Sequence, residues 1–316
     1  MDDTAKTLPP LHTPIEHVYD MREEWLKARR TGIGSSDAPA MLGLTKWATR
    51  LSIWLSKRGE DGGESKAEAE RLKWGHRLEG PILDGFGEDV GRAVKHCHPF
   101  TILEHPSNPL ALASLDGLQE DPNHPEKGLG IAEAKNLGPW KRDEWMSNGV
   151  PEMYRVQLQH QLYVSGLRWG SVIGLIGGAE LVYQDFDRDE EFIAFLVKEE
   201  ETFWQSIVDG IAPQPTGLEV DAMALASLYH SPRPTIVQLP PEVVVLDDEL
   251  AGVSEQRKGL EKREAEIKNL VKAAIGDNTF GVLPSGAAWK WAIEERKESI
   301  TKASSSRVLR RVKGPK

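Results

Sequence analysis

A single cysteine, Cys97, stands among the 316 residues, so no internal disulfide can form. One thiol also excludes a four-cysteine iron–sulfur cluster built from this chain alone. His96 and His98 flank that cysteine, but ligands so close together rarely reach one tetrahedral ion and no second Cys/His pair accompanies them, so zinc is not expected. No stretch approaches the ~18 unbroken apolar residues of a membrane span. The N-terminal MDDTAKTLPP lacks the charged and apolar regions of a signal peptide. The expected location is cytoplasmic, with no membrane partner. Positive charge is also in deficit: 39 Lys and Arg against 49 Asp and Glu give a formal net charge of −10. That balance argues against coating nucleic acid by bulk electrostatics but permits a local basic groove. Basic clusters do occur, at Lys27, Arg29 and Arg30, at Lys46, Arg50, Lys57 and Arg58, and from Arg307 to Lys316.

What the chain does contain centres on ALASLDGLQE DPNHPEKGLG IAEAK, residues 111–135. Asp116 follows an apolar run, while Glu133 and Lys135 alternate with Ala132 and Ala134 after Leu129 and Ile131. Successive strand residues point to opposite faces, so Glu133 and Lys135 share one face and the alanines the other. The Asp-, Pro-, Asn- and Gly-rich segment between reads as a turn joining neighbouring strands. Two carboxylates and an ammonium then meet at one point of a sheet. With a hard cation between the acids such a trio can activate water, the lysine offsetting charge that builds on phosphorus. Taken alone it is more often an ordinary salt-bridged strand pair.

Residues 1–15 read as a flexible, Pro-containing N-terminus, and Glu16 to Arg30 as a helix. That helix delivers KARR into TGIGSSDAPAMLG, where Ser35, Ser36 or Asp37 can cap a helix starting at Ala38. A helix start beside arginines suits a phosphate, although a plain cap explains the same residues and no Walker loop is present. Leu42 to Arg58 reads as helix with Trp47, Leu51, Trp54 and Leu55 as core, and a further helix from about Ala67 should kink at Gly80 and Pro81, beside Glu79. Phe100 to Glu104 reads as a strand pairing with the one that carries Asp116. Pro151 opens a helix in which Gln159 and Tyr163 share one face and Gln157 and Gln161 another. Three glutamines there require hydrogen-bonding partners if buried. Two strands within 171–187 and a helix from Asp189 to Val208 close the unit near Gly210. Residues 211–244 read as a Pro-rich linker. From Leu246 an apolar pattern recurs at Leu250, Val253, Leu260, Ile267, Leu270 and Ala274, interrupted by Gln256 and Arg263. It predicts one amphipathic helix that docks or pairs loosely. Strand pieces within 279–293 and at Arg307 to Val312 follow, so 245–316 forms a small α+β appendage.

The ordered blocks GIGSSDAPAMLG, WGHRLEGPIL, LASLDGL, GIAEAK and QLQHQLYVSG resemble the YqaJ-type viral recombinase exonucleases, relatives of phage lambda exonuclease in the PD-(D/E)xK nuclease superfamily. The resemblance covers roughly residues 20–210. It implies an α/β fold, a restriction-endonuclease-like core with a central mixed sheet flanked by helices. By resemblance, Asp116, Glu133, the Ala134 carbonyl and Glu79 bind Mg²⁺, or Mn²⁺ in its place, as two ions per site. Lys135 assists the nucleophilic water, and Gln159 with Tyr163 matches a QxxxY helix. Arg29 or Arg30, with Ser36 and its neighbour Ser35, lies where a 5′-terminal phosphate is held, and Ser114 matches a serine before the motif aspartate. Gln157 joins the DNA-facing set. Leu115 replaces the motif proline.

The activity so implied is 5′ to 3′ digestion of one strand of linear duplex DNA. It leaves a 3′ tail for a single-strand annealing protein, and the relatives are ring-shaped trimers. Two alternatives stand beside it: a RecB-like nuclease with another task, and an inactive DNA-end-binding adaptor.

Overall fold

Two mixed sheets organise the first part of the chain. The computed structural model describes residues 8–60 and 66–293 and divides into two compact units at His230/Ser231. Chain order begins with β1 (Ile15–Val18), α1 (Arg22–Ala28), β2 (Ile33–Gly34), α2 (Ala38–Met41), α3 (Arg50–Arg58) and α4 (Lys66–Val90). It continues through β3 (Ala93–His96), β4 (Thr101–His105), β5 (Asn108–Ala113), β6 (Gly117–Glu120), β7 (Gly130–Leu137), α5 (Arg142–Asn148) and α6 (Glu152–Ser165). Then come β8 (Trp169–Ile176), β9 (Glu180–Asp187), α7 (Glu190–Val208) and α8 (Glu219–Leu228). One sheet has the order β1-β4-β5-β2 and the other β3-β6-β7-β8-β9. Only β2/β5 and β7/β8 run parallel. The α/β core is therefore present with its sheet in two parts, and the chain passes from one to the other through Ser114, Leu115 and Asp116.

Strand alternation on β7 sets the layers. Ile131 and Leu137 pack with Leu158 and Leu162 of α6, whereas Ala132 and Ala134 pack with Ile82, Leu83 and Phe86 of α4. The two helices thus bury opposite faces of the second sheet. Pro81 does not end α4: the helix runs on to Val90, anchored by the fully buried Ile82, Leu83 and Phe86 just beyond it.

Several local readings differ from the sequence expectation. The helix expected over 16–30 begins as β1, because Ile15 to Val18 find an edge on β4, and only Arg22–Ala28 is α-helical. The helix expected from Leu42 starts at Arg50, where Thr49 and Ser52 form a reciprocal capping box, and Trp47 is exposed. Residues 8–12 are tied down: Leu8 N–H donates to the Glu126 carbonyl at 3.1 Å and Leu11 N–H to that of Gly166 at 2.8 Å. Gly166 ends α6 at φ 75°, and a Cβ there would lie 2.5 Å from the His12 carbonyl oxygen, so two independent constraints demand glycine. The Pro-rich stretch expected as a linker contains α8, whose buried Asp221 accepts hydrogen bonds from Thr49 of the α3 cap and from Thr216.

In the second unit α9 (Glu242–Ile275) leads into a hairpin of β10 (Phe280–Val282) and β11 (Ala288–Lys290). The strand expected at Arg307 to Val312 lies outside the described residues. No described helix is long and apolar enough to cross a membrane.

A buried ion pair ties α6 to α7. His160 is fully buried, its Nδ1 2.7 Å from Glu200 Oε1 and its Nε2 3.0 Å from the Leu112 carbonyl oxygen. Both ring nitrogens therefore face acceptors, the arrangement of a protonated imidazole. Burial alone would lower its pKa, but the Glu200 charge and the two hydrogen bonds outweigh it and raise the value. The stability this pair contributes is full below the ordinary histidine value of about 6.5 and is lost as pH climbs through the raised one. Urea titrations from about pH 6 to about pH 9 are expected to show that decline in the wild type. His160→Leu flattens it and costs about 3–5 kcal/mol, because Glu200 is left buried and uncompensated.

Candidate active site

Glu133 is the most enclosed acid of the cleft, 2% exposed. Three N–H groups hold it. Lys135 Nζ and Gln157 Nε2 donate to Oε1 at 2.5 and 2.6 Å, and Gln161 Nε2 donates to Oε2 at 2.7 Å. Gln157 and Gln161 are one helical turn apart on α6, so one face of that helix supplies both amides. Lys135 also lies 5.2 Å from the Tyr154 ring centroid. Burial alone would lower the pKa of this lysine, but Glu133 and Asp116 raise it, so it stays an ammonium.

Asp116 sits at the crossing between the sheets. Its Oδ2 accepts the Ala134 N–H at 2.9 Å, which fixes the carboxylate against β7. Burial and the neighbouring Glu133 push its pKa well above the usual carboxylate range, with Glu79 adding to the effect. Glu79 of α4 lines the same cleft, of about 260 Å³, and takes a 3.1 Å contact from His76 one turn earlier. That hydrogen bond is the main influence holding His76 above its ordinary pKa.

Arg29, Ser35 and Ser36 line the same cleft. Arg29 Nη2 donates to Ser36 Oγ at 2.8 Å, and its guanidinium lies 4.7 Å from the Trp25 ring centroid. Arg30 is directed elsewhere, toward Gly59 at the end of α3. The two candidate arginines are thereby separated. Helix α2 spans only four residues, and the Asp37 side chain makes no cap hydrogen bond to it. Asp37 Oδ2 instead accepts from Gly34 N–H at 2.8 Å and Lys57 Nζ at 2.6 Å, and Lys57 also donates to the Arg29 carbonyl at 2.9 Å. This buried pair braces both ends of the Arg29/Ser36 loop. Burial raises and Lys57 with Arg29 lowers the Asp37 pKa, the lowering prevailing; burial likewise leaves Lys57 below its usual value.

Three expected site residues are used otherwise. Gln159 Nε2 donates to the Asp187 carbonyl at 2.8 Å and its Oε1 accepts Asp189 N–H at 2.9 Å, so it joins β9 to α7 away from the acids. Tyr163 stacks on His105 at 4.3 Å and meets Asn108. Ser114 lines the cleft, but its hydroxyl donates to the Thr101 carbonyl at 2.6 Å and accepts Trp25 Nε1–H at 3.3 Å. The glutamine pair that does reach the acids is Gln157 with Gln161, one residue pair over on a helix whose turns advance by about 100° per residue.

Residues 24–168 match the YqaJ-like viral recombinase domain. The protein YqaJ of Bacillus subtilis (strain 168), itself uncharacterized, is 31% identical over 280 residues, which cover 87% of this chain and 85% of that protein. The chain belongs to the YqaJ-like viral recombinase family. Among solved structures it is similar to an alkaline exonuclease from Laribacter hongkongensis, with 23% identity and a TM-score of 0.48 over 60% of this chain and 94% of that one. A phage-related exonuclease from Haemophilus somnus 129PT shows 15% identity and a TM-score of 0.41 over 57% and 94%.

In this YqaJ-like protein the donor set suits a hard cation in kind. Asp116, Glu133, Glu79 and the Ala134 carbonyl offer oxygen only, the chemistry of Mg²⁺ or Mn²⁺ and not of zinc. Burial first, and the Glu133 charge second, raise the Asp116 pKa, and Lys135 offsets them only in part. Among the described residues no three His, Cys, Asp or Glu side chains converge closely enough to hold an ion by themselves.

His76, Trp25, Lys57 and Gln161 extend the set read from sequence. Gln161 carried a signal as the partner of Gln157 at helical spacing, and Lys57 as a member of a basic cluster. For Lys57 the consequence is measurable: Lys57→Met strands Asp37 and is expected to cost about 3–5 kcal/mol in urea unfolding. The double variant Asp37→Asn/Lys57→Met is expected to lose clearly less than the sum of the two single losses.

Proposed function

We propose that this chain is a divalent-cation-dependent deoxyribonuclease that digests one strand of linear duplex DNA from its 5′ end. The observation that carries the reading is one cleft lined by Asp116, Glu133 and Lys135 together with Arg29 and Ser36. Membership of a viral recombinase family supports strand resection as the task; the resemblance of the sequence blocks to relatives of phage lambda exonuclease adds a single-strand annealing protein as partner and a homotrimeric ring as the assembly.

Asp116 and Glu133, with the Ala134 carbonyl and Glu79, would hold one or two Mg²⁺ ions. Bound there, Mg²⁺ supplies Lewis acidity toward the phosphodiester and lowers the pKa of a coordinated water. Gln157 and Gln161 keep the Glu133 carboxylate oriented toward the cleft. Lys135, held protonated between the acids, offsets negative charge developing on the reacting phosphate. Arg29, with five fixed donors and a rigid seat on Trp25, and Ser36 beside it bind the terminal phosphate and set which strand end enters. The overall net charge of −10 is compatible with this role because Arg22, Arg29 and Lys135 line the cleft and give it local positive charge.

Linear duplexes labelled at one end, with and without a 5′ phosphate, are the decisive substrates. Mg²⁺-dependent release from phosphorylated 5′ ends is expected, abolished by EDTA and reduced about 10²–10³-fold by Lys135→Ala. Arg29→Ala is expected to erase the preference for a 5′ phosphate while leaving slow cleavage of both ends. Nicking of closed circles would point to an endonuclease, and DNA binding without cleavage in any metal would point to an adaptor.

Metal binding has its own readout. Mg²⁺ at about a hundredfold its dissociation constant is expected to stabilise the protein by about 2.7 kcal/mol in calorimetry, a gain absent from Asp116→Asn.

A further inference from the structure

Helix α9 is 34 residues long, about 51 Å, yet Ile275 at its very end is its single buried residue. Leu246, Leu250, Val253, Leu260 and Ile267 are all exposed, between 44% and 72%. These residues recur at alternating spacings of three, four and seven and so form one seam. An isolated helix with an uncovered apolar seam lacks the packing that normally stabilises it.

The charge pattern says what covers the seam. The first fourteen residues of α9 hold five acids and no base, and the last fourteen hold four bases against two acids. Each helix's own dipole accommodates such ends, but the seam adds a requirement the dipole does not address. Gln256 and Arg263 interrupt the wider stripe, and the narrower row stepping by four and three from Leu246 to Val271 has Arg257 and Glu264 as its polar members. In a parallel in-register pair Arg257 would face the partner's Arg257, and Glu264 the partner's Glu264. In an antiparallel pair overlaid end to end, Leu246 meets the partner's Val271, Leu250 the partner's Ile267 and Leu260 the partner's Arg257. Arg257 then comes within reach of the partner's Glu264 one turn away, and the acidic beginning of each helix lies along the basic end of the other.

We propose that α9 is a self-association element that pairs antiparallel with α9 of a second copy, in the register that overlays Glu242–Ile275 end to end. This pairing is separate from the cleft and does not rest on the nuclease reading.

Sedimentation equilibrium of the full chain tests it with two variants at exposed positions, their helix content checked by circular dichroism. Leu250→Glu puts a charge against the partner's Ile267 and is expected to halve the mass of the assembly. Leu250→Glu/Ile267→Lys is expected to restore that mass, because antiparallel pairing sets each new glutamate against a new lysine, whereas parallel pairing sets like charges together. A mass unchanged by Leu250→Glu would overturn the proposal and give the seam to another occupant, a different segment of this chain or a different protein. A mass that stays halved in the double variant would overturn the antiparallel register.

Discussion

A carboxylate almost wholly removed from water governs this structure. Glu133 sits on the strand between the two faces of the second sheet, and leaving it ionised there without donors would be prohibitive. Lys135 comes from the same strand, but Gln157 and Gln161 come from α6, so the requirement fixes where that helix must lie. Helix α6 in turn carries His160, whose pairing with Glu200 holds α7, and Gln159, which holds the β9–α7 junction. One acid thereby fixes the positions of a helix, a second helix and the strand between them.

The second carboxylate is positioned by a different device. Asp116 belongs to neither sheet but to the crossing between them, and the Ala134 N–H captures it. The cleft thus draws one acid from a strand, one from a sheet-to-sheet crossing and one from α4, while its Arg29 hangs on a loop that the buried Lys57–Asp37 pair stiffens. Acids and bases line one cleft together, which is how a protein with an acid excess presents a local site for an anionic polymer.

Features with local periodicity were legible from the residues. The face-sharing of Glu133 and Lys135 follows from strand alternation, and α9 from its apolar spacing. The pair β8 and β9 was legible from two runs split by a glycine turn. Features set by distant partners were not. Ile15 to Val18 look helical until β4 offers an edge; Arg50 begins a helix because Thr49 and Ser52 cap one another; α8 is held in a proline-rich stretch by Asp221 reaching Thr49, 172 positions away. The glutamines of α6 show the limit most clearly. Spacing identified two faces, Gln157/Gln161 and Gln159/Tyr163, but which faced the acids depended on how the helix is rotated about its axis, and Glu133 decides that.

Between Val156 and Leu162 every residue of α6 is buried or hydrogen-bonded to a different neighbour: Gln157 and Gln161 to Glu133, Gln159 to the β9–α7 junction, His160 to Glu200, and Leu158 and Leu162 to the core. Such a helix is least tolerant of length changes, which misplace all of these side chains at once. Inserting one residue before Gln157 turns everything downstream by about 100°, which brings His160 to the place where Gln161 meets Glu133 and puts Gln157 and Gln161 where Leu158 and Leu162 pack. Evolution of this segment is therefore expected to proceed by replacement in a fixed frame, with insertions and deletions accumulating in the loops before Pro151 and after Gly166.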